Sequence, residues 1–381
     1  MKCYDLINLH INCPKRFIIG KICSKINSYI TLGKIIFLWR LYIEIGGSNM
    51  VTTVNSAFED FMKNKVNLDP ERTKKARKSR DNLISNIHDL DSKNDFFNLY
   101  NDIDISFGSF ARRTKIRPLD DIDIMIGIMG DKSTYYESSN EIKIYVHDEN
   151  SPQNGCCNEN TNILNSTKVI NKFITQLKDI NDYKKAETHK NGSAAKLQLK
   201  SYDWNFDIVP CFMTSEQSDG RSYYLIPDGK GNWLKTDPRK DRDMVSELNQ
   251  KHDGVMLETI RLVKYWNKRP TMPSIPSYTL ECLLLQYFNG IDEVSKWIDC
   301  RFRDILLYIS NNIWNSINDP KEIQGNLNTL TYDEKIKISS RAKSDYDKAN
   351  EAIAAEVNDK DHEKSIKKWT EILGNQFPQY G

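Results

Sequence analysis

The sequence has 381 residues, of which 39% are hydrophobic and 28% are charged. This is the balance of a globular chain with room for two or three domains, not of a disordered or fibrous one. The formal net charge is +2, but residues 1–49 hold seven Lys and Arg against two Asp and Glu, so residues 50–381 sum to −3. That balance excludes a strongly basic nucleic-acid-binding protein of the usual kind, although a local groove could still be positive.

The first 49 residues contain two apolar stretches, FIIGKIC and KIIFLWRLYIEI, and charges at Lys34, Arg40 and Glu44 interrupt this region. No run reaches the ~18–20 apolar residues of a membrane span, and no small-residue cleavage site follows an apolar core. The residues IGGSNM could be encoded by a GGA-GGT ribosome-binding sequence followed by the start codon of Met50. We therefore favour a mis-annotated or non-conserved extension before Met50, with a membrane-associating extension as the alternative.

The eight cysteines follow no metal-binding or redox spacing, and Cys156 and Cys157 are adjacent. A disulfide between neighbouring residues is strained. Scattered thiols of this kind are typical of a reduced, cytosolic protein. We expect a cytoplasmic location and no structural zinc.

Residues 51–90 have a helical pattern. In NLDPERTKKARKSRDNLISNI, Asp69 is a suitable N-cap and Pro70 a suitable first-turn residue, and Leu83, Ile84 and Ile87 recur at helical spacing. The helix carries a basic face, which we expect to be a solvated surface; a phosphate-facing surface is the alternative. That face consists of Lys74, Lys75, Arg77, Lys78 and Arg80.

The middle of the sequence predicts a sheet. Residues 102–107 and 121–128 are predicted strands with a Gly-Ser turn between them, and AAKLQLKSYDWNFDIVPCF predicts two short strands around a polar turn. The polar, Asn- and Ser-rich residues 130–164 are expected to form a long surface insertion, and NSTKVINKFITQLKDI returns to helical period. After Pro238 the patterns are mainly helical. We expect an α+β fold with its active site in the cleft between a mixed α/β front half and a helical back half.

The segment GSFARRTKIRPLDDIDIMIGI raises the main chemical question, because acidic residues crowd the head of an apolar strand. Side chains at i and i+2 of a strand share a face, so Asp121 and Asp123 point one way while Ile122 and Ile124 point into the core. Two carboxylates this close repel one another unless a cation lies between them. Hard divalent cations, Mg²⁺ especially, prefer such oxygen ligands together with water and substrate phosphates.

Asp207 in WNFDIVP is the candidate third carboxylate, because it lies in mid-strand, where an unpaired charge would be costly to bury. Asp203 is less attractive because it lies in the turn. With a third carboxylate on a neighbouring strand, the site could hold two ions about 4 Å apart that stabilise the attacking and leaving oxygens of a phosphoryl transfer. A lone D-x-D occurs by chance at many exposed strand ends, so the hypothesis depends on the whole pattern.

Gly108 and Ser109 are the candidate phosphate-binding end. Glycine permits a close backbone approach, and the serine hydroxyl with nearby amides can hold a terminal phosphate at a helix start. No Walker A loop is present. A Gly-Ser dipeptide by itself is weak evidence of a phosphate site, and only its position before the D-x-D supports this interpretation.

These segments, with IRLVKYWNKR, SYTLECLLL and KKWTEILGNQFP, resemble the cGAS/DncV-like nucleotidyltransferases of bacteria, on the DNA polymerase β-like nucleotidyltransferase fold. The likeness spans residues 51–381. It implies a nucleotidyltransferase domain over residues 50–238, preceded by a long helix, and a helical domain over 239–381 that completes the nucleotide pocket.

The resemblance also implies a role for each site residue. Asp121, Asp123 and Asp207 would be the catalytic residues and would ligate two Mg²⁺ ions, or Mn²⁺ in their place, with Asp207 also helping to activate the acceptor hydroxyl. The donor nucleotide would be held at its phosphates by Gly108, Ser109, Lys264 and Ser277 and stacked at its base on Tyr278. A solvated lysine at Lys264 and plain core packing of Tyr278 are the alternatives, and Asp120 receives only a supporting role.

Members of this family make cyclic di- or trinucleotides from ATP and other nucleoside triphosphates in anti-phage defence, and the product activates an effector protein. We expect this activity, leave a regulatory partner protein open, and expect neither a membrane span nor stable nucleic-acid binding. Two alternatives remain. One is a linear nucleotide polymerase, or an adenylyltransferase of a small molecule or protein, on the same fold. The other is a degenerate member that serves as a nucleic-acid sensor, against which the intact aspartate set argues.

Overall fold

The structure is a computed structural model that describes residues 51–381 apart from 92, 94, 95 and 140. The expectations for residues 1–49 fall outside this part of the chain. From Thr52 to Gly381 the chain forms one compact unit. No helix in the described residues is both long and apolar enough to cross a membrane.

Ten α-helices are found in the described residues, and a π-helical turn at Met62–Val66 extends the first. They are α1 (Val54–Phe61), α2 (Pro70–His88), α3 (Gly108–Ala111), α4 (Ser166–Asp179), α5 (Pro238–Lys251), α6 (Val255–Asn267), α7 (Ser277–Asn289), α8 (Ile298–Asn312), α9 (Tyr332–Val357) and α10 (His362–Leu373).

Nine strands lie in the same part of the chain. They are β1 (Ile105–Phe107), β2 (Asp121–Gly127), β3 (Thr134–Glu137), β4 (Ile142–Tyr145), β5 (Glu187–Asn191), β6 (Ala194–Gln198), β7 (Asn205–Met213), β8 (Tyr224–Pro227) and β9 (Trp233–Thr236). Their order is β1-β2-β7-β8-β9-β4-β3, and β6 also pairs with β7 and β5 with β6.

Strand β7 connects the two parts of the sheet, because it pairs with β2 and β6 in one part and with β8 in the other. Its first part lies between β2 and β6, and its last two residues pair with β8. The β2–β7 pair is parallel, whereas the other pairs are antiparallel. Parallel neighbours require a long crossover, and the segment between β2 and β7 contains α4.

The two faces of β2 and β7 differ as the alternation predicts. Ile122 and Ile124 on β2 and Phe206 and Ile208 on β7 are buried in the main core, which α2 and α4 cover. The acidic residues between them therefore lie on the opposite face of the sheet. The α+β fold is as expected, with the sheet in the front part and helices from Pro238 onward.

Helix α2 begins where the sequence predicts. The Asp69 carboxylate accepts a hydrogen bond from the backbone N–H of Arg72 at 2.8 Å, and Pro70 occupies the first turn. An N-cap of this kind satisfies one of the unpaired amides at a helix start. Leu83 and Ile87 are fully buried, so the predicted apolar stripe faces the core.

The expectation for residues 130–164 is wrong. They contain β3 and β4, and β4 joins the sheet through the pairing of Ile142 with Trp233. Ile144, Cys156 and Leu164 are buried in the main core. The polar composition of the segment conceals short strands whose alternate residues face inward, so it completes the sheet and does not form a surface loop.

Helix α1 packs against the last residues of the chain. The Phe58 ring makes edge-on contacts with Trp369 and Phe377, whose ring centroids lie 5.1 and 5.0 Å away. Phe61 contacts Phe377 and Tyr265 in the same way. The aromatic residues of KKWTEILGNQFP therefore anchor the first described helix on the helical half.

Phe58→Ala is expected to lower the free energy of unfolding by about 3–5 kcal/mol, because it removes a buried ring and leaves a cavity between Trp369 and Phe377. Urea denaturation of the variant and the wild type measures the loss. The control Phe58→Leu retains most of the volume and should lose about 1.5 kcal/mol or less. A loss below about 1 kcal/mol for the alanine variant would contradict the packing described.

Candidate active site

Three carboxylates meet on the face of the sheet opposite the main core. Asp123 on β2 and Asp207 on β7 are direct register partners across the parallel pair, and Asp121 lies two residues before Asp123. Register partners and i, i+2 residues point to the same face. The structure thus brings together the three aspartates that the sequence analysis selected.

The carboxylates disturb one another because they are partly buried and close. Burial, followed by the charge of Asp207, raises the pKa of Asp123 to about 6. Burial also raises the pKa of Asp207, with Asp121 contributing and Lys196 opposing. Perturbed carboxylates of this kind are characteristic of catalytic and metal-binding sites.

Gly108 lies in contact with this group. Its φ is +70°, and a Cβ atom at this position would stand 2.0 Å from Oδ2 of Asp123. A larger residue is therefore disfavoured both by the backbone conformation and by the neighbouring carboxylate. The backbone at Gly108 therefore lies against the Asp123 carboxylate, and its predicted contact with a phosphate stays a prediction.

Ser109 follows in the short helix α3 and is partly exposed. Its carbonyl oxygen accepts hydrogen bonds from the backbone N–H groups of Thr114 and Lys115, which close the loop after the helix. Lys115 in turn forms an ion pair with Asp120. Burial opposes ionisation of Asp120, but Lys115 outweighs it and lowers the pKa of that carboxyl.

The acidic group is suited to a divalent cation. The Oδ1 atom of Asp207 is buried and accepts no hydrogen bond from the described residues. The ammonium of Lys196 lies 2.9 Å from Oδ1 of Asp121 and 3.9 Å from Oδ1 of Asp207. Among the described residues, no group of three or more acidic, His or Cys side chains is placed to hold a metal ion by itself, so water and phosphate oxygens would have to complete the ligand shell of an ion at this face. Open carboxylate sites of this type suit Mg²⁺, which keeps water and phosphate ligands.

A second polar group lies between the loop after α3 and the helical half, and it centres on Glu281. This carboxylate accepts hydrogen bonds from Arg112 at 3.0 Å, Thr114 at 2.9 Å and Lys264 at 2.6 Å. Burial would favour protonation, but the charges of Arg112 and Lys264 hold the pKa of Glu281 below its usual value. Lys264 is thus buried and bonded to Glu281, and its predicted contact with phosphates stays a prediction.

Tyr278 lies in a polar cluster at the start of α7, beside the exposed Ser277. Its hydroxyl bonds to Asp241 at 2.7 Å and Asp319 at 3.1 Å, and the ammonium of Lys321 donates to it at 2.7 Å. The Arg112 guanidinium lies 5.5 Å from the ring centroid. The ring is therefore not plain core packing, and its predicted stacking on a base stays a prediction, as does the phosphate contact of Ser277.

Sequence reasoning missed three residues that organise the site. Arg112 connects the two polar groups, because its charge favours ionisation of Asp123 while its side chain binds Glu281. Lys196 contacts the aspartates, and Glu281 binds Arg112 and Lys264. The alternation in AAKLQLK could have signalled that Lys196 lies on the face opposite Ala195 and Leu197, but not which residues it meets there.

Comparison with known proteins identifies two curated relatives. A protein named "Probable cyclic nucleotide synthase" from Bacillus cereus (strain VD146) is 43% identical over 339 residues, which cover 87% of this chain and 99% of that protein. A cyclic AMP-AMP-AMP synthase from Acinetobacter sp. (strain ATCC 27244 / 9458) is 28% identical over 223 residues, 55% of this chain and 60% of that protein. No protein-family model matches the chain.

Among solved structures, CdnC of E. coli MS115-1 has a similar fold. Its structure with ATP and its structure in complex with HORMA-deltaN each give a TM-score of 0.60 at 18% identity, over 85% of this chain and 98% of CdnC. This likeness confirms the predicted type of fold, a mixed sheet followed by a helical region.

The affinity of the site for Mg²⁺ is expected to fall as the pH falls through about 6, because a protonated Asp123 cannot ligate the ion. Burial, followed by the charges of Asp207 and Asp121, raises the pKa of Asp123, whereas Lys115 and Arg112 lower it. The raised value means that the charge is lost at a pH where an exposed aspartate keeps it. From about pH 7 to about pH 5 the dissociation constant should rise about tenfold, as calorimetric titration would measure. An affinity unchanged over this range would contradict the environment assigned to Asp123.

Gly108→Ala should lower the free energy of unfolding by about 2–3 kcal/mol and weaken Mg²⁺ binding, because Asp123 must move away from the new methyl group. Gly220→Ala is the matched control, since Gly220 has φ +75° and, apart from its chain neighbours, no atom of the described residues lies within 4 Å of the added carbon. It should lose only about 1 kcal/mol, the cost of the backbone conformation. Equal losses for the two variants, measured by urea denaturation, would show that the contact with Asp123 contributes nothing.

Proposed function

Because this chain belongs to the bacterial cyclic nucleotide synthases, the cGAS/DncV-like nucleotidyltransferases, we propose that it joins nucleoside triphosphates into a cyclic di- or trinucleotide second messenger. The enzyme is a nucleotidyltransferase in which a ribose hydroxyl attacks an α-phosphate and pyrophosphate leaves. The observation that carries the proposal is the alignment of Asp207 with Asp123, beside Asp121, on one face of adjacent strands.

The three aspartates would hold two Mg²⁺ ions, with Mn²⁺ as the alternative ion. Divalent cations bound there would stabilise the attacking and leaving oxygens of the transfer. The aspartates suit this task because two of them share a strand face and the third is their register partner. Asp207, whose Oδ1 accepts no hydrogen bond from the part of the chain that the structure describes, is the residue that we assign to help activate the acceptor hydroxyl.

The donor triphosphate would lie against Gly108 and Ser109. The absence of a side chain at Gly108 leaves the backbone in contact with Asp123, so a phosphate at this loop would lie next to the metal ligands. Lys264 and Ser277 are proposed to contact phosphates, and Tyr278 to stack on the donor base. The Lys264 ammonium now lies 2.6 Å from the Glu281 carboxylate. To contact a phosphate, Lys264 would therefore have to bind Glu281 and the substrate at the same time.

The sheet-containing half and the helical half of the chain have different proposed roles. We propose that residues 50–238 form the catalytic domain and that residues 239–381 complete the nucleotide pocket. Glu281 supports this division, because a carboxylate of the helical half binds Arg112 of the loop after Gly108 and Ser109.

The relatives suggest the substrate and partners. One relative is a cyclic AMP-AMP-AMP synthase, and CdnC is seen with ATP and in complex with HORMA-deltaN. We propose ATP as a substrate, with other nucleoside triphosphates open, and a regulatory protein as a partner. We further propose that the product activates an effector protein in anti-phage defence, in the cytoplasm where the triphosphates are available.

Asp121→Asn, Asp123→Asn and Asp207→Asn should each reduce product formation on the order of 1,000-fold, because each removes a charge that a divalent cation requires. Labelled triphosphates are incubated with Mg²⁺, and the product mass and its resistance to phosphatase are measured. Asp203→Asn is the matched control. Its carboxylate lies in the turn before β7, its side chain is 77% exposed, and it pairs with Arg72, so activity should stay near that of the wild type.

Two outcomes would contradict the proposal. Product that forms only with an added primer or acceptor protein would indicate a linear polymerase or an adenylyltransferase instead. Full activity in an Asp207→Asn variant would remove the metal-ligand assignment of that residue.

A further inference from the structure

Lys196 lies in a row of register partners that crosses the acidic face. Asp123 on β2 pairs with Asp207 on β7, Asp207 pairs with Lys196 on β6, and Lys196 pairs with His189 on β5. Partners in adjacent strands share a face and lie about 5 Å apart. The sheet itself therefore places a lysine directly beside the catalytic carboxylates.

The ammonium of Lys196 lies between two of these carboxylates. It is 2.9 Å from Oδ1 of Asp121 and 3.9 Å from Oδ1 of Asp207, and the lysine side chain is 18% exposed. Within the ion pairs of the described residues, Lys196 is the only cationic partner of either aspartate. A single side chain thus partly neutralises carboxylates of two different strands.

We propose that Lys196 is a positioning residue that serves as a built-in counter-ion of the acidic face and gives up Asp121 when a divalent cation binds. Without the cation, Asp121 and Asp207 repel one another, and the ammonium offsets this repulsion. With the cation, the Asp121 carboxylate would serve as a ligand, and the positive lysine would also repel the ion. Lys196 therefore stabilises the metal-free fold and weakens metal binding, an inference that rests on the proposed metal-dependent function.

The opposed effects distinguish this role from simple structural support. A lysine that only supported the sheet would lower stability on removal to the same extent with and without Mg²⁺. Removing a counter-ion that competes with the metal should instead lower the stability only when Mg²⁺ is absent. The charge of Lys196, rather than its length, should carry the effect.

The test compares Lys196→Met, which keeps the length without the charge, with Lys196→Arg, which keeps the charge. Thermal unfolding of the full chain is measured with EDTA and with Mg²⁺, and the Mg²⁺ dissociation constant is measured by calorimetry. Lys196→Met should unfold at a lower temperature in EDTA, bind Mg²⁺ on the order of tenfold more tightly, and recover its stability when Mg²⁺ is added. Lys196→Arg should behave like the wild type.

Lys190→Met is a matched control on the neighbouring strand β5, because the Lys190 ammonium binds Thr167 and the Gly229 carbonyl and, within the described residues, none of the three aspartates. It should leave the Mg²⁺ affinity unchanged. If Lys196→Met does not fold, Lys196→Gln, a shorter neutral side chain that can still donate hydrogen bonds, replaces it.

Two results would overturn the inference in different ways. A wild type that binds Mg²⁺ together with a Lys196→Met variant of unchanged affinity would remove the counter-ion role and leave the proposed function intact. A wild type in which Mg²⁺ neither binds nor raises the unfolding temperature would remove the metal site, and with it both the inference and the proposed catalysis.

Discussion

The repulsion among three carboxylates on two adjacent parallel strands is the constraint on which the rest of the site depends. The main core requires Ile122 and Ile124 on one face of β2, and the alternation of the strand then directs Asp121 and Asp123 to the other. The parallel register with β7 adds Asp207 to the same face. Positive charge near this face offsets the repulsion, as Lys196 does beside Asp121 and Asp207, so the arrangement of the strands itself favours a cation there.

Several features of the surroundings answer this constraint. Gly108 gives the space that Asp123 requires. Lys196 forms an ion pair with Asp121, and Lys115 forms one with Asp120. Backbone hydrogen bonds position both lysines. The β6–β7 register places Lys196, and the turn whose amides bond to the Ser109 carbonyl places Lys115. The local electrostatics are therefore built into the pairing of the sheet.

The buried Glu281 group plays a comparable part between the sheet and the helices. Burying a charged group is expensive, and such a group is tolerated only when its partners satisfy it. Glu281 meets this requirement with Arg112, Thr114 and Lys264. These partners come from both sides of the predicted cleft, so the group ties the loop that follows Gly108 to α6 and α7. Its directional hydrogen bonds admit fewer alternative arrangements than an apolar contact would, which suits a loop that we propose to hold a phosphate.

The sequence by itself determined the parts that depend on local rules. Alternation predicted β2 and β7, the Asp69–Pro70 pattern predicted the start of α2, and the spacing of Asp121 and Asp123 predicted a shared face, because each follows from the geometry of a single element. Asp207 was predicted from the cost of burying a charge in mid-strand together with the family resemblance. The tertiary structure alone decided that residues 130–164 complete the sheet and that Lys196 and Glu281 meet the aspartates and Arg112. Those contacts depend on strand order, register and helix docking between residues up to 169 positions apart, and no local pattern of side chains encodes such pairings.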